Sequence, residues 1–109
     1  MYTTNVLPYR KSRLMSRKMK ALQHIFRADP KLAKAVQLFV DPETDCIFWE
    51  MIFRLPLTCG QKEAVKFAYC IWEPELSTRS NLFEDGLDMN AALKCAVLEA
   101  IAIRWGLRK

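Results

Sequence analysis

Glycine is scarce in this sequence, with 3 residues among 109, and proline occurs only 5 times. β-Sandwiches and barrels need many tight turns, so this shortage counts against an all-β fold. No apolar run approaches the roughly 18 residues that a membrane-spanning helix needs. Mixed amphipathic sequence, not a pure apolar stretch, follows the basic N-terminal residues, which argues against a signal peptide. We therefore expect a cytoplasmic protein with no membrane partner.

Signatures of metal, cofactor and phosphate binding are also missing. The 4 cysteines, at positions 46, 59, 70 and 95, are 13, 11 and 25 residues apart, and the chain has 1 histidine, His24. Structural zinc sites use close cysteine pairs, and phosphate cradles use glycine-rich loops, so the sequence predicts neither a metal nor a cofactor. We expect reduced thiols, three of them buried as small apolar groups.

The same residues leave one enzymatic alternative open. Cys59 is expected at the start of a helix, where a thiol becomes more reactive, and His24 would have to reach it as a base. No local nucleophile motif surrounds Cys59. The sequence as a whole predicts a protein that is not an enzyme.

Charge is placed unevenly along the chain. The net charge is +5, yet residues 1–27 hold seven basic residues and no acidic one, whereas residues 28–109 hold 10 basic and 12 acidic residues, a net of −2. Five of those acids lie between positions 73 and 88, against a single arginine. A basic arm of this kind indicates an acidic partner, unless it pairs with the acidic 73–88 stretch of the same molecule or is simply solvated.

Local signals predict a helical chain with a short tail. Residues 1–11 have no apolar period and are expected to form a basic flexible tail, and residues 12–109 to form a single helical domain. Several positions carry start and stop signals for helices. These are Ser12, Asp29-Pro30, Asp41-Pro42, the Thr58–Gln61 capping box, Asp88 and, as the final stop, Gly106.

Residues 46–55 fit two structures. As a helix this segment is apolar on nearly every side and would lie centrally. As a strand it alternates, and residues 41–45 would be a hairpin loop joining it to residues 36–40. We favour the helix, because both flanking segments indicate helices and nothing else in the sequence supplies a sheet.

The expected fold is all-α, a compact bundle of about five helices with a central apolar C-terminal helix. The alternative is an α+β fold with a hairpin at residues 36–55. A helix that is apolar on almost all sides, as residues 89–105 would be, is usually buried. The predicted core consists of Leu22, Phe26, Phe39, Ile52, Val65, Ala68, Trp72, Val97 and Ile101.

For function, the basic N-terminal helix and its lead-in are the candidate site. We expect a small non-enzymatic binding module that engages an acidic protein or nucleoprotein surface. Its predicted binding residues are Arg10, Lys11, Arg13, Arg17, Lys18, Lys20 and Arg27. The alternative is weakly sequence-specific binding of DNA or RNA by the same face. The acidic 73–88 stretch is a second candidate contact, and any aromatic left exposed beside an arginine would be an interface anchor.

The short length, the uneven charge and the lack of an enzyme motif resemble small accessory proteins of phages and other mobile elements. Such proteins often bind a larger host machine and block or redirect it. The resemblance is one of general character and carries no motif, so it implies no role for any particular residue.

Overall fold

A computed structural model describes residues 15–73 and 88–108. The predicted tail at residues 1–11 and most of the acidic 73–88 stretch lie outside these residues. So does a short helical turn at residues 81–86, which the sequence also predicts from Asn81 and Glu84 as a cap and Gly86 as a stop. The described elements follow one another along the chain in a mostly helical order. They are α1 (Arg17–Arg27), α2 (Pro30–Val36), a 3-10 turn (Gln37–Phe39), β1 (Val40–Asp41), β2 (Cys46–Ile47), α3 (Trp49–Phe53), α4 (Cys59–Trp72) and α5 (Ala91–Arg104).

Helix α1 begins later than its sequence predicts. Ser16, not Ser12, is the N-cap, and its hydroxyl accepts a hydrogen bond from the backbone N–H of Met19 at 3.1 Å. Met15 and Ser16 are not helical. The apolar stripe of α1 then faces inward as predicted, and it buries Met19, Ala21, Leu22, Ile25 and Phe26.

Two helix starts are confirmed. Asp29 caps α2, with Pro30 at the first helical position, where its missing N–H costs nothing. Thr58 and Gln61 form the predicted capping box of α4, in which each side chain accepts a hydrogen bond from the other residue's backbone N–H. The same Gln61 side chain donates to Asp29 at 3.2 Å, so the starts of α2 and α4 are joined.

The ambiguous segment is part strand and part helix. Val40–Asp41 pairs with Cys46–Ile47 in an antiparallel two-stranded hairpin, so the start signal predicted at Asp41-Pro42 was wrong and the turn belongs to the hairpin. Asp45 takes the left-handed conformation (φ 58°) that closes this turn. The helix expected over 46–55 is reduced to α3, in which only Ile52 is buried, so this segment is not central to the core.

Aromatic rings attach α3 to α4. The indole of Trp49 lies 4.9 Å from the ring of Tyr69, edge to face, and 6.5 Å from the indole of Trp72. Phe53 meets Tyr69 at 5.3 Å in the same geometry. Such aromatic pairs add stability beyond simple burial. They explain why α3 is helical next to a hairpin: the helix turns both Trp49 and Phe53 toward α4.

Helix α5 starts and stops by local capping. Asn90, not the predicted Asp88, is the N-cap and accepts from the N–H of Leu93 at 2.9 Å. At the other end Gly106 takes a positive φ of 77°. The N–H groups of Gly106 and Leu107 bond the carbonyls of Ile103 and Ala102, a Schellman motif. The glycine stop is thus confirmed, since a residue with a Cβ is strained in this conformation.

The all-α bundle is confirmed, with the small hairpin added to it. In the described part of the chain α1 packs against α2, α4 and α5, and α5 covers one side of α1 and α4. Seven of the nine predicted core residues are buried, and Phe39 and Ile101 are partly buried against the same cluster. The apolar C-terminal helix buries one face, and its opposite face is exposed.

Candidate binding surface

The predicted binding residues divide into three groups. Arg10, Lys11 and Arg13 lie outside the described residues. Arg17, Lys20 and Arg27 are exposed on α1, and Lys18 is half-buried. Only the middle group is therefore placed on the surface that the sequence predicts, and we call it, together with His24, the basic stripe.

Lys18 is turned away from this stripe. It lies two residues before Lys20, which rotates the helix by about 200°. Its Nζ stands 4.3 Å from the ring centroid of Trp72, a buried residue of α4. A cation over an aromatic face at this distance is attracted by the negative ring surface. Lys18 thus acts within the molecule, where it covers one edge of the core.

The basic stripe runs along the exposed side of α1. Arg17, Lys20, His24 and Arg27 are spaced by three or four residues, so they share one helix face. The three long side chains span about 15 Å along the axis. Among the residues that the structure describes, none of these three forms an ion pair.

Glu99 of α5 borders the stripe. His24 Nε2 lies 2.7 Å from Glu99 Oε1, and Arg108 donates to Glu99 Oε2 at 2.8 Å. These two hydrogen bonds, that of His24 foremost, hold the pKa of the Glu99 carboxyl below its ordinary value. No local pattern indicates this network, because His24 and Glu99 are 75 residues apart in the sequence.

Arg17 packs on the end of α5. A Cβ placed on Gly106 would lie 2.9 Å from Arg17 Cζ, so the guanidinium sits directly against the glycine of the Schellman turn. The C-terminal end of a helix carries partial negative charge, which favours a cation there. Arg17, the first residue of the basic stripe, is thus positioned by the Schellman turn at the end of α5.

An apolar ridge runs along the exposed face of α5, next to Glu99. It consists of Ala91, Cys95, Leu98, Ala102 and Trp105, spaced alternately by four and three residues, and we call it the α5 ridge. Leu98 is 69% exposed and Trp105 is 72% exposed. Trp105 follows Arg104 directly, and exposed Phe53 directly precedes Arg54, so both are exposed aromatics beside an arginine, which the sequence could not identify. The ridge was missed because α5 is apolar on nearly all sides.

The cysteines differ from the sequence prediction. Cys46, Cys59 and Cys95 are exposed and Cys70 is half-buried, so the expected burial of three thiols is wrong. His24 is engaged by Glu99, and no hydrogen bond joins it to Cys59. Within residues 15–73 and 88–108 no group of histidine, cysteine and carboxylate side chains is arranged to hold a metal ion.

Comparison with known proteins gives no relative: no family model, no curated protein and no solved structure matches the chain. In the described part of the chain every helix is too short or too polar to cross a membrane. The surface itself is therefore the basis for a function.

Proposed function

We propose that this protein is a non-enzymatic binding module whose basic stripe engages an acidic surface of a protein or nucleoprotein complex. The observation that carries this proposal is a set of three exposed cations, Arg17, Lys20 and Arg27, on a helix whose opposite face is buried. None of the three forms an ion pair within residues 15–73 and 88–108. Because the backbone of α1 is fixed by packing, only the side chains need ordering on binding. Arg10, Lys11 and Arg13 precede it in sequence and add to the positive charge.

The dimensions of the stripe favour a protein partner over a nucleic acid. Three cations over about 15 Å match a local cluster of carboxylates on a protein. A carboxylate, Glu99, borders the stripe, and it would repel a phosphate backbone that continues past the array. Mixed charge around a positive centre is typical of the polar rim of protein interfaces.

DNA or RNA binding is the second candidate. It is favoured by the sequence of residues 1–27, in which seven basic residues occur without an acid. Each phosphate contact releases counterions, so affinity for DNA would fall with a log–log salt slope of about −0.9 per phosphate. This dependence separates the two candidates.

The test uses two variants of equal charge. In the stripe variant Arg17, Lys20 and Arg27 are changed to Ala. In the matched control Lys31, Lys34 and Lys62 are changed to Ala, which removes three exposed cations from α2 and α4. Fluorescence anisotropy would measure binding of labelled poly-glutamate, random-sequence DNA and random-sequence RNA at two salt concentrations.

We expect the wild type and the control to bind poly-glutamate and the stripe variant to lose at least tenfold in affinity. Equal losses in both variants would show that net charge alone attracts the probe, which contradicts a defined stripe. Tighter binding of DNA or RNA than of poly-glutamate, with a steep salt slope and loss in the stripe variant, would favour the second candidate. No binding of any probe at low salt would overturn both.

A further inference from the structure

The α5 ridge is an exposed apolar feature of the described surface, and it is distinct from the basic stripe. Ala91, Leu98 and Trp105 are seven positions apart, and so are Cys95 and Ala102, so the five residues line one face of the helix. This is the spacing at which two helices interlock their side chains. Leu98 and Trp105, the two large side chains of the ridge, are exposed to solvent. Exposed apolar area concentrated in this way marks a protein interface.

The ridge begins with two small residues, Ala91 and Cys95, and then alternates between large and small residues. Leu98 is large, Ala102 is small and Trp105 is large. If two copies of α5 lie antiparallel, Leu98 of one copy faces Ala102 of the other, and Trp105 faces Cys95. Each of these layers pairs one large residue with one small residue, as good packing requires, and Ala91 lies beyond the paired layers. A parallel pair would set Trp105 against Trp105 and leave a gap between two alanines.

Charge at the two ends of α5 favours the same orientation. Asp88 is exposed just before the helix, and Arg108 is exposed just after it. In an antiparallel pair each acidic end lies near a basic end, and the two helix dipoles oppose each other favourably. In a parallel pair the like charges lie together. The ridge is therefore complementary to itself in shape, and the two ends of α5 are complementary in charge, when the copies run in opposite directions.

We propose that the α5 ridge binds the α5 ridge of a second copy of this chain, in an antiparallel arrangement related by a twofold axis. This inference does not depend on the proposed function, because the ridge and the basic stripe share no residue. The stripe lies on the Glu99 flank of α5, and an antiparallel pair brings the two Glu99 flanks to the same side. The dimer thus presents two basic stripes in one direction.

The contact is small. The 14 residues of α5 extend about 21 Å, so one helix pair gives an interface at the low end of the biological range. We expect a dimer that dissociates on dilution. Two linked stripes would then bind a repeated acidic surface more tightly than one stripe does.

The experiment compares two exposed leucines. Leu98→Glu places a charge in the ridge, and Leu38→Glu is its matched control, since Leu38 is 84% exposed on the 3-10 turn. Sedimentation velocity over a hundredfold range of concentration would give the oligomeric state, and circular dichroism would verify that both variants fold. We expect the wild type and Leu38→Glu to shift from monomer to dimer with concentration and Leu98→Glu to stay monomeric. A wild type that is monomeric throughout, or a dimer that Leu98→Glu leaves intact, would overturn the proposal.

Disulfide trapping tests the orientation. In a background in which Cys46, Cys59 and Cys95 are changed to Ser, the Leu98→Cys and Ala102→Cys proteins are oxidised separately and as a mixture. An antiparallel dimer gives a cross-link mainly in the mixture, because residues 98 and 102 then face each other. Efficient cross-linking of each protein alone would show a parallel pair and overturn the antiparallel arrangement.

Discussion

His24 on α1 and Glu99 on α5 are joined by a hydrogen bond of 2.7 Å, which ties the basic stripe to the C-terminal helix. Arg108 holds the other oxygen of the same carboxylate at 2.8 Å. A single acidic side chain therefore holds two side chains, His24 and Arg108, at the edge of the candidate binding surface. Its ionisation links the stability of this edge to pH.

The first prediction concerns Glu99 and acid. Because its partners lower the pKa of Glu99 in the folded protein, the ionised form stabilises the fold above the ordinary carboxyl pKa, and this stabilisation is lost as the pH falls through the lowered value. Urea unfolding should show a gap between wild type and Glu99→Gln at about pH 6 that shrinks towards about pH 3. Glu50→Gln, on the exposed side of α3, is the control and should show no such gap. A gap for Glu99→Gln that is independent of pH would contradict the assignment.

The second prediction concerns Asp29, which has two roles. Its Oδ1 accepts from the N–H groups of Lys31 and Leu32, and its Oδ2 accepts from the side chain of Gln61. Asp29→Asn keeps the cap but replaces the second acceptor with an amide donor. Asp29→Ala should cost about 1–2 kcal/mol, the usual loss of an N-cap. Asp29→Asn should lie between Asp29→Ala and wild type in urea midpoint, and equal midpoints for both variants would show that the link to Gln61 is the larger contribution.

The third prediction concerns the close approach of α4 to the start of α5. A Cβ on Gly60 would lie 2.7 Å from the carbonyl oxygen of Asp88, a backbone atom that cannot rotate aside. In an open helix Gly→Ala stabilises by roughly 1 kcal/mol. Here we expect the reverse, a loss of about 1–3 kcal/mol from overpacking. The control is Cys59→Ala, at the exposed neighbouring position, and stabilisation by Gly60→Ala would disprove the close contact.

How far sequence alone predicts this fold depends on the range of the interactions involved. The caps at Asp29 and Thr58 were predictable because their hydrogen bonds close within three residues. Ser12 and Asp88 gave equally good local signals, yet Ser16 and Asn90 are the caps. In both cases a second capping residue lies within the next few positions, and tertiary packing decides between the two.

The hairpin depends on interactions that no local pattern contains. Ile47 pairs with Val40, and the two following aromatic contacts reach from α3 to Tyr69 and Trp72 of α4. A run that is apolar at almost every position satisfies both a strand and a helix, so its pattern alone cannot divide the segment at Phe48.

The candidate surface shows the same limit. The sequence predicted that Arg17 and Lys20 lie opposite the apolar stripe of α1, and both are exposed there, because a period of 3.6 separates the two faces. It could not show that His24 meets Glu99. Nor could it show which side of the uniformly apolar α5 remains exposed, since that depends on which of its faces α1 and α4 cover.

The last prediction separates two neighbouring lysines. Lys18 lies over the ring of Trp72, so Lys18→Ala should lower the free energy of unfolding by about 0.5–1 kcal/mol through loss of the cation–π contact. Lys20 is exposed on the basic stripe, so Lys20→Ala should leave stability within about 0.5 kcal/mol of wild type. For binding of an acidic probe the order should reverse, with the larger loss for Lys20→Ala. Urea unfolding and fluorescence anisotropy on both variants measure the two effects, and equal losses of affinity would show that Lys18 also belongs to the binding surface.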